Sequence, residues 1–578
     1  MRQESSMRKV IHNDLEKCVG CNRCIRVCPV PEANVAYVEN NRTKVRVDGA
    51  KCIACAACLH ACVHGSRFYE DDTEQFFADL HKGVPISLFC APASRANLQD
   101  WGKVLALLQQ LGVRKMYDVS LGADICTWGH IRYIQKYGPS SLISQPCPAI
   151  VDYILLHRNE LLPYLSPVHS PMMCTAIYMK KYQKINDKIA ALSPCIAKTN
   201  EFDETGKLVS YNVTFVKLEE YIKRKNLKLP AKGRGYDHIE SSIGSIYSMP
   251  GGLKENVEFM IGKDLRIDKS EGQHVVYKAL DAFAQEDKAN LPVVFDVLNC
   301  PEGCNLGTGC HHDRTVFEVN TSMEKARQNS LRGRTREYFE QLYQEYDKTL
   351  VLEDFVRTYR PTPVHNIPVT DSAIEDAFGQ LGKYDEVGRA FNCGACGSAT
   401  CREMAIRVAK KTNLPDNCLK KAHDDMLREH ETVVSWQENS AKAMSTITAD
   451  ITAIRAKADQ AIASLTNVDK LISSYETMTK DIDKIAGNIH MISLNASIEA
   501  ARAGEHGRTF AVVAESIRGL AGETQEATAK VNKVTAEAKG ALGGIGQMVV
   551  VIGENVTKSQ NNINEITAHT ATLLDKQD

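Results

Sequence analysis

Twenty cysteines carry the chemistry of this 578-residue chain, and all of them lie between Cys18 and Cys418. Two runs, Cys18, Cys21, Cys24, Cys28 and Cys52, Cys55, Cys58, Cys62, repeat one spacing. A third group is Cys393, Cys396, Cys401 and Cys418. Four more stand far apart: Cys147 in Gln-Pro-Cys-Pro, Cys195 in Ser-Pro-Cys-Ile-Ala-Lys, and Cys300 with Cys304 in Cys-Pro-Glu-Gly-Cys. Thiolates at short fixed spacings are soft donors that suit iron-sulfur clusters or zinc. So many cysteines would also fit a disulfide-stapled secreted domain. No apolar N-terminal stretch reads as a signal peptide, however, and the spacings are those of ligands. A reducing, cytoplasmic setting is the expectation.

The rest of the composition narrows the class. A net charge of -1 gives no basic footprint for nucleic acid. No apolar run approaches the roughly 20 residues of a membrane span. At roughly 100 to 200 residues per domain, the length implies three to five domains. Residues 419–578 contain neither cysteine nor proline, which permits an uninterrupted helical rod.

The first two runs, the first followed by Pro29, resemble the bacterial two-cluster ferredoxins, in which the fourth cysteine of each run serves the other cluster. The resemblance implies one cluster on Cys18, Cys21, Cys24 and Cys62 and another on Cys52, Cys55, Cys58 and Cys28. Zinc is the alternative, but it needs only four donors, and eight in repeated register favour iron. The segment Cys-Gly-Ala-Cys-Gly-Ser-Ala-Thr-Cys from Cys393 is similar to a small single-cluster 4Fe-4S domain, with Cys418 completing the set and zinc again the alternative.

Residues from about Pro85 to Pro361 resemble the [FeFe]-hydrogenase catalytic domain, of the sensory type. The match is carried by the three segments around Cys147, Cys195 and Cys300/Cys304, with Cys90-Ala-Pro-Ala-Ser-Arg95, Gly122-Ala-Asp124 and Pro250-Gly-Gly252. It implies a two-lobed α/β fold and an H-cluster: a cube held by Cys147, Cys195, Cys300 and Cys304, with Cys304 bridging to a diiron subsite that carries CO, CN and dithiolate ligands. Lys198 falls where the family lysine bonds a cyanide, and Glu201 is placed to pair with it. Efficient relatives carry a proton-passing cysteine where this chain has Pro146, and their relay glutamates are replaced by Thr127-Trp-Gly-His130. Methionines beside the subsite are replaced by Ser193 and Leu298. Ser166 is read as an isolated hydroxyl, while Cys126, His130 and Cys174 are candidates for a substitute proton route. Slow turnover follows.

Beyond about Lys420, apolar residues recur at steps of three and four, from Met444, Ile447, Ile451 and Ile454 to Ile482, Ala486 and Ile489, and again at Val513, Ile517, Leu520, Val531 and Val534. That is a coiled-coil seam in two arms of similar length, an antiparallel hairpin expected to form a dimeric four-helix bundle. The intervening Ser493-to-Glu515 stretch resembles the tip of methyl-accepting chemotaxis proteins. The resemblance places Asn495, Glu499, Arg502 and Val512 at contacts with a coupling protein and histidine kinase.

The expected organisation is a 2[4Fe-4S] ferredoxin-like α+β domain (1–72), a hydrogenase-like domain (80–361), a single-cluster domain (366–424) and a signalling hairpin (425–578). Three [4Fe-4S] clusters outside the active site and one H-cluster are expected. Expected partners are dihydrogen and protons, a redox partner or ferredoxin, maturation proteins, a second copy and a signalling kinase. The leading reading is a slow, hydrogen-sensing hydrogenase. The alternatives are a working hydrogenase whose rod only dimerises, and an iron-sulfur redox or gas sensor without the diiron subsite.

Overall fold

The computed structural model describes residues 10–238, 242–364 and 368–574. The extreme ends of the first and last expected domains, and the expected boundary at 366, lie outside them. The chain divides into two compact units, Met1–His423 and Asp424–Asp578.

The first unit begins with two antiparallel strand pairs, Ile11–Asn13 with Arg67–Tyr69 and Asn34–Glu39 with Arg42–Val47. Asn40 and Asn41, both at positive φ, close the second pair in the two-residue turn that matches strand twist. Two one-turn helices, Arg23–Arg26 and Ala57–His60, carry Cys24 and Cys58 and follow left-handed residues Asn22 and Ala56. The repeat seen in the cysteine spacing is therefore a repeat of backbone conformation.

Two parallel sheets follow. One has the order Met116–Asp118, Ile86–Cys90, Lys188–Ser193, Tyr211–Thr214; the other Ile267–Glu271, Val294–Leu298, Leu142–Ile143. Ile86–Cys90 and Val294–Leu298 are buried at every position, as strands covered on both faces must be. Phe76, Phe77, Phe89, Trp128 and Phe215 fill the core around the four-stranded sheet, and Ile150, Ile154, Leu161 and Val297 that around the other. Both sheets end toward the same residues. Cys90, Ser193, Ile143 and Leu298 close their strands, and the loops that follow carry Pro92, Cys195, Cys147 and Cys300.

Helices Asp371–Gln380 and Cys401–Ala409 pack Ile374, Phe378, Met404, Ala405 and Val408 into a small core beside Cys401 and Cys418.

The second unit is a helical hairpin whose arms, Leu419–Arg502 and Arg508–Leu574, are joined by a turn at Gly504–Gly507. Thr479 Oγ1 meets Asn532 Oδ1 at 2.6 Å, Lys539 Nζ meets Glu476 at 3.2 Å and Thr567 Oγ1 meets Met444 Sδ at 3.5 Å, a single antiparallel register. The expected seam needs correction. Thr479, Ala486, Ser493, Ala500, Gly507, Ala514, Ala521 and Thr528, at steps of seven, are the residues buried between the arms. Ile454, Val468, Tyr475, Val513, Leu520 and Val534 are exposed. Small side chains let the two helices approach closely, and the larger apolar ones, one position earlier in the second arm, are left on the flank.

Candidate functional site

The four scattered cysteines meet at one cavity of about 800 Å³, together with Ala91, Pro146, Met172, Lys198, Tyr247 and Leu298. Its wall is apolar apart from these thiols and a few polar groups, and it lies beyond the carboxyl ends of strands from both sheets, where open α/β sheets bind ligands. Cys147 opens the Pro148–His157 helix, whose first position is the proline that suits it. Cys195 sits in the turn between Lys188–Ser193 and the Lys198–Glu204 helix, with Ser193 Oγ accepting from its N-H at 3.1 Å. Gly303 folds the Cys300–Cys304 loop at φ +63, and a Cβ there would stand 2.4 Å from Ser248 O, so only glycine fits. Cys304 N donates to that same carbonyl at 2.8 Å.

Burial and the neighbouring thiols push Cys304 up to about 12 and Cys147 up to about 11, and hold Cys300 well above the ordinary thiol range. Thiols so placed ionise only if a cation is supplied, which is what a metal centre does. All twenty cysteines are free. Among the described residues no three His, Cys, Asp or Glu side chains are spaced for a single metal ion. A four-iron cube needs its sulfurs farther apart than one ion does, so this donor set fits a cluster with an attached group occupying the rest of the cavity.

Lys198 is the cation of that cavity. Its Nζ donates to Glu201 Oε2 at 2.5 Å, to Pro146 O at 3.1 Å and to Ser170 Oγ at 3.1 Å, with both ion-pair partners under a tenth exposed. Burial would discharge the ammonium, but Glu201 and the Cys195 and Cys304 thiols raise it above its ordinary value. It therefore stays charged beside the thiols.

Ser166 is not isolated, contrary to the sequence reading. Its hydroxyl lies 2.9 Å from His130 Nε2, His130 Nδ1 lies 3.7 Å from Cys126 Sγ, and Cys126 Sγ lies 3.3 Å from the hydroxyl of Tyr247, which lines the cavity. Burial pushes Cys126 up. Hydrogen bonding from Cys174 and the charge of His130 outweigh it, so Cys126 falls well below the usual thiol range while His130 is raised. Cys174 is raised by burial and by Cys126. Tyr247 and Met172 were not singled out from sequence, because nothing in their local pattern marks them. Leu298 does face the cavity, and Met172 supplies a thioether there; Ser193 turns back to its own loop.

In the ferredoxin-like part, Cys28 stands within electrostatic reach of Cys52, Cys55 and Cys58, and Cys24 within reach of Cys18 and Cys21. Burial, with the charge of nearby thiols, pushes Cys28 and Cys58 up to about 12. Arg67 donates to Cys24 Sγ at 3.3 Å. Cys62 is half-buried at the end of the second run. The Cys55 carbonyl accepts from Asn299 Nδ2 at 3.3 Å, and the same amide reaches Cys300 Sγ at 3.6 Å, which ties this part to the cavity. Cys393, Cys396, Cys401 and Cys418 line a separate space of about 330 Å³. At the hairpin turn Asn495, Glu499, Arg502 and Val512 are all exposed, and Arg502 pairs with Glu499 at 3.6 Å.

Four family descriptions match the chain: a 4Fe-4S dicluster domain over 10–63, the C-terminal domain of the iron only hydrogenase large subunit over 85–308, an Fe-S cluster family over 390–419, and the methyl-accepting chemotaxis protein signalling domain over 437–576. A methyl-accepting chemotaxis protein of Synechocystis sp. is 30% identical over 199 residues, covering 30% of this chain and 20% of that protein. McpN of Pseudomonas aeruginosa is 26% identical over 197 residues, 34% of this chain and 35% of its own length. The chain thus spans about a fifth to a third of these curated relatives. A variant [FeFe]-hydrogenase from Chlamydomonas reinhardtii superposes with a TM-score of 0.38 at 17% identity, over 51% of this chain and 100% of that one. Among the described residues no helix is long and apolar enough to cross a membrane. Residues 85–308 are an iron-only hydrogenase large-subunit domain and 437–576 a methyl-accepting chemotaxis signalling domain, and the chain is a fusion of the two.

Proposed function

We propose that the chain is a cytoplasmic hydrogen sensor of low turnover, whose hydrogenase-like site reports to the signalling hairpin through the redox state of iron-sulfur clusters. The observation that carries this reading is the convergence of Cys147, Cys195, Cys300, Cys304 and the Lys198 ammonium on one apolar cavity. When bound there, the H-cluster supplies heterolytic cleavage of dihydrogen, yielding protons and electrons. The chain's own residues orient and insulate it. Lys198, held by Glu201 and Ser170, offers a charge-assisted donor to an anionic ligand atom, which fixes orientation. Three further cysteine sets hold [4Fe-4S] clusters in this reading: Cys18, Cys21, Cys24 and Cys62; Cys28, Cys52, Cys55 and Cys58; and Cys393, Cys396, Cys401 and Cys418.

Proton handling is where low turnover arises. Pro146 lines the cavity and carries no exchangeable side-chain proton. The groups left to accept one are Tyr247, Cys126, His130 and Ser166, in contact in that order, with Cys174 beside Cys126. Proton transfer by a placed group is worth on the order of 100- to 10,000-fold in rate. Pro146→Cys keeps the carbonyl that Lys198 uses and adds a thiol. It is expected to raise dihydrogen oxidation by at least about tenfold, a conservative share of what such a group contributes. Unchanged turnover in fully loaded protein would contradict the assignment of the bottleneck.

The large apolar side chains left exposed on the hairpin suit a second copy, giving a four-helix bundle, and the exposed tip residues suit a coupling protein and kinase. Sensing requires that two redox states favour different states of the rod. Amide hydrogen exchange across 487–520 in protein matured with the diiron group, under dihydrogen and under argon, tests this. A gas-dependent change in protection is expected; identical exchange would leave the rod a dimerisation device.

A further inference from the structure

The helix Cys401–Ala409 presents one buried arginine to a neighbour far away in sequence. Arg407 is 6% exposed, and its Nη1 donates to Gly397 O at 3.0 Å, in the loop that follows Cys396. That loop rests on the first cysteine run. Gly397 has φ +84, and a Cβ there would stand 2.7 Å from the Cα of Arg26, between Cys24 and Cys28. Two more contacts lock the surfaces: Lys410 Nζ reaches Glu32 at 2.5 Å, and Ala36 N donates to Thr412 O at 3.1 Å. Glu32 also pairs with Lys51 at 2.8 Å. A space of about 690 Å³ between the parts is lined by Val30, Glu32, Lys51, Glu403 and Arg407. The Cys396 and Cys28 thiols both lie within electrostatic reach of the guanidinium, as do Glu403 and Glu32, while burial pulls Arg407 below its ordinary value. An arginine does not discharge in a protein, so this is a permanent positive charge between two cysteine sets.

We propose that Arg407 is shared by the two metal sites, Cys393/Cys396/Cys401/Cys418 and Cys28/Cys52/Cys55/Cys58, and sets the reduction potential of both. The proposal rests on the reading of those sets as iron-sulfur ligands. Each added electron makes a site more negative, and a fixed cation nearby stabilises the reduced state; a fixed anion opposes it. Low exposure keeps water and salt from screening the effect. Neither set of spacings in the sequence points to the other, because the contact is made by a residue that is not a ligand. Arg407 is a positioning and tuning residue here, not a catalytic one.

The test is an EPR-monitored redox titration of the full-length protein with its clusters reconstituted. R407Q is expected to move the midpoints of both sites negative by about tenfold in the one-electron equilibrium, about 59 mV. R407K keeps the charge and is expected to move them less. E32Q removes an anion and frees two lysines, so both midpoints are expected to move positive. A merely structural role gives no such opposition of sign. If R407Q does not fold, E32Q alone decides by its direction. Shifts of the same sign in R407Q and E32Q, no shift in either, or a shift confined to one site would overturn the proposal while leaving the clusters in place. Iron and sulfide too low for both sites in the unaltered protein would overturn the cluster reading, and this proposal with it.

Discussion

Cys304→Ala is expected to abolish dihydrogen turnover in protein matured with the diiron group, with no residual rate above background. The residue walls the same cavity as Cys147, Cys195 and Cys300, and burial with its neighbours' charges pushes its thiol up to about 12. Such a sulfur is a neutral group unless a metal takes it. Removing it leaves three donors and an apolar methyl where a bridging ligand would stand. Losing one of a set of thiolate ligands removes binding energy that the fold has organised around. Iron bound by the other cysteine sets is expected to remain, since those sets lie on other segments. Measurable turnover in Cys304→Ala would show that the group is held by other atoms.

Lys198→Met is expected to lower stability by about 3 to 5 kcal/mol, the usual cost of leaving one partner of a buried ion pair uncompensated. Glu201 is 6% exposed and lies near Asp152 and Glu204, whose carboxyls burial has already raised, so no spare cation stands ready to replace the ammonium. The same change is expected to prevent retention of the diiron group, because the cavity loses the ammonium that lines it. Lys198→Met combined with Glu201→Leu separates the two effects. Removing both charges should recover most of the stability, as replacing a buried pair by apolar groups often does. It should not recover loading. Recovery of both would reduce Lys198 to a structural partner of Glu201.

The sequence was most readable where function demands fixed spacing over short distances. Cysteines separated by two or three residues, as in the runs from Cys18 and Cys52, announce themselves. Cys147, Cys195 and Cys300 were readable only through the short segments around them, since no spacing rule joins residues brought together by two separate sheets. The contacts that depend on tertiary packing stayed hidden. Tyr247 reaches Cys126 from 121 positions along the chain, and Arg407 reaches the first cysteine run from the far end of the unit. Ser166 looked isolated because its partner His130 belongs to another segment. In the rod, periodicity gave the helices and the reversal but chose the wrong face. Ile, Val and Leu dominate any count of apolar residues, while the surfaces that meet within the hairpin are alanine, serine, threonine and glycine, whose size rather than hydrophobicity decides how closely two helices approach.

The central claim is that the cavity walled by Cys147, Cys195, Cys300 and Cys304 holds a diiron group that answers to dihydrogen. Infrared spectra of protein matured with that group, recorded under argon and then under dihydrogen, test it most directly. The account expects carbonyl and cyanide bands that shift when the gas is admitted and return when it is removed. Spectra without such bands, in protein whose iron content shows every cysteine set filled, would contradict it and leave an electron-storing switch in place of a hydrogen sensor.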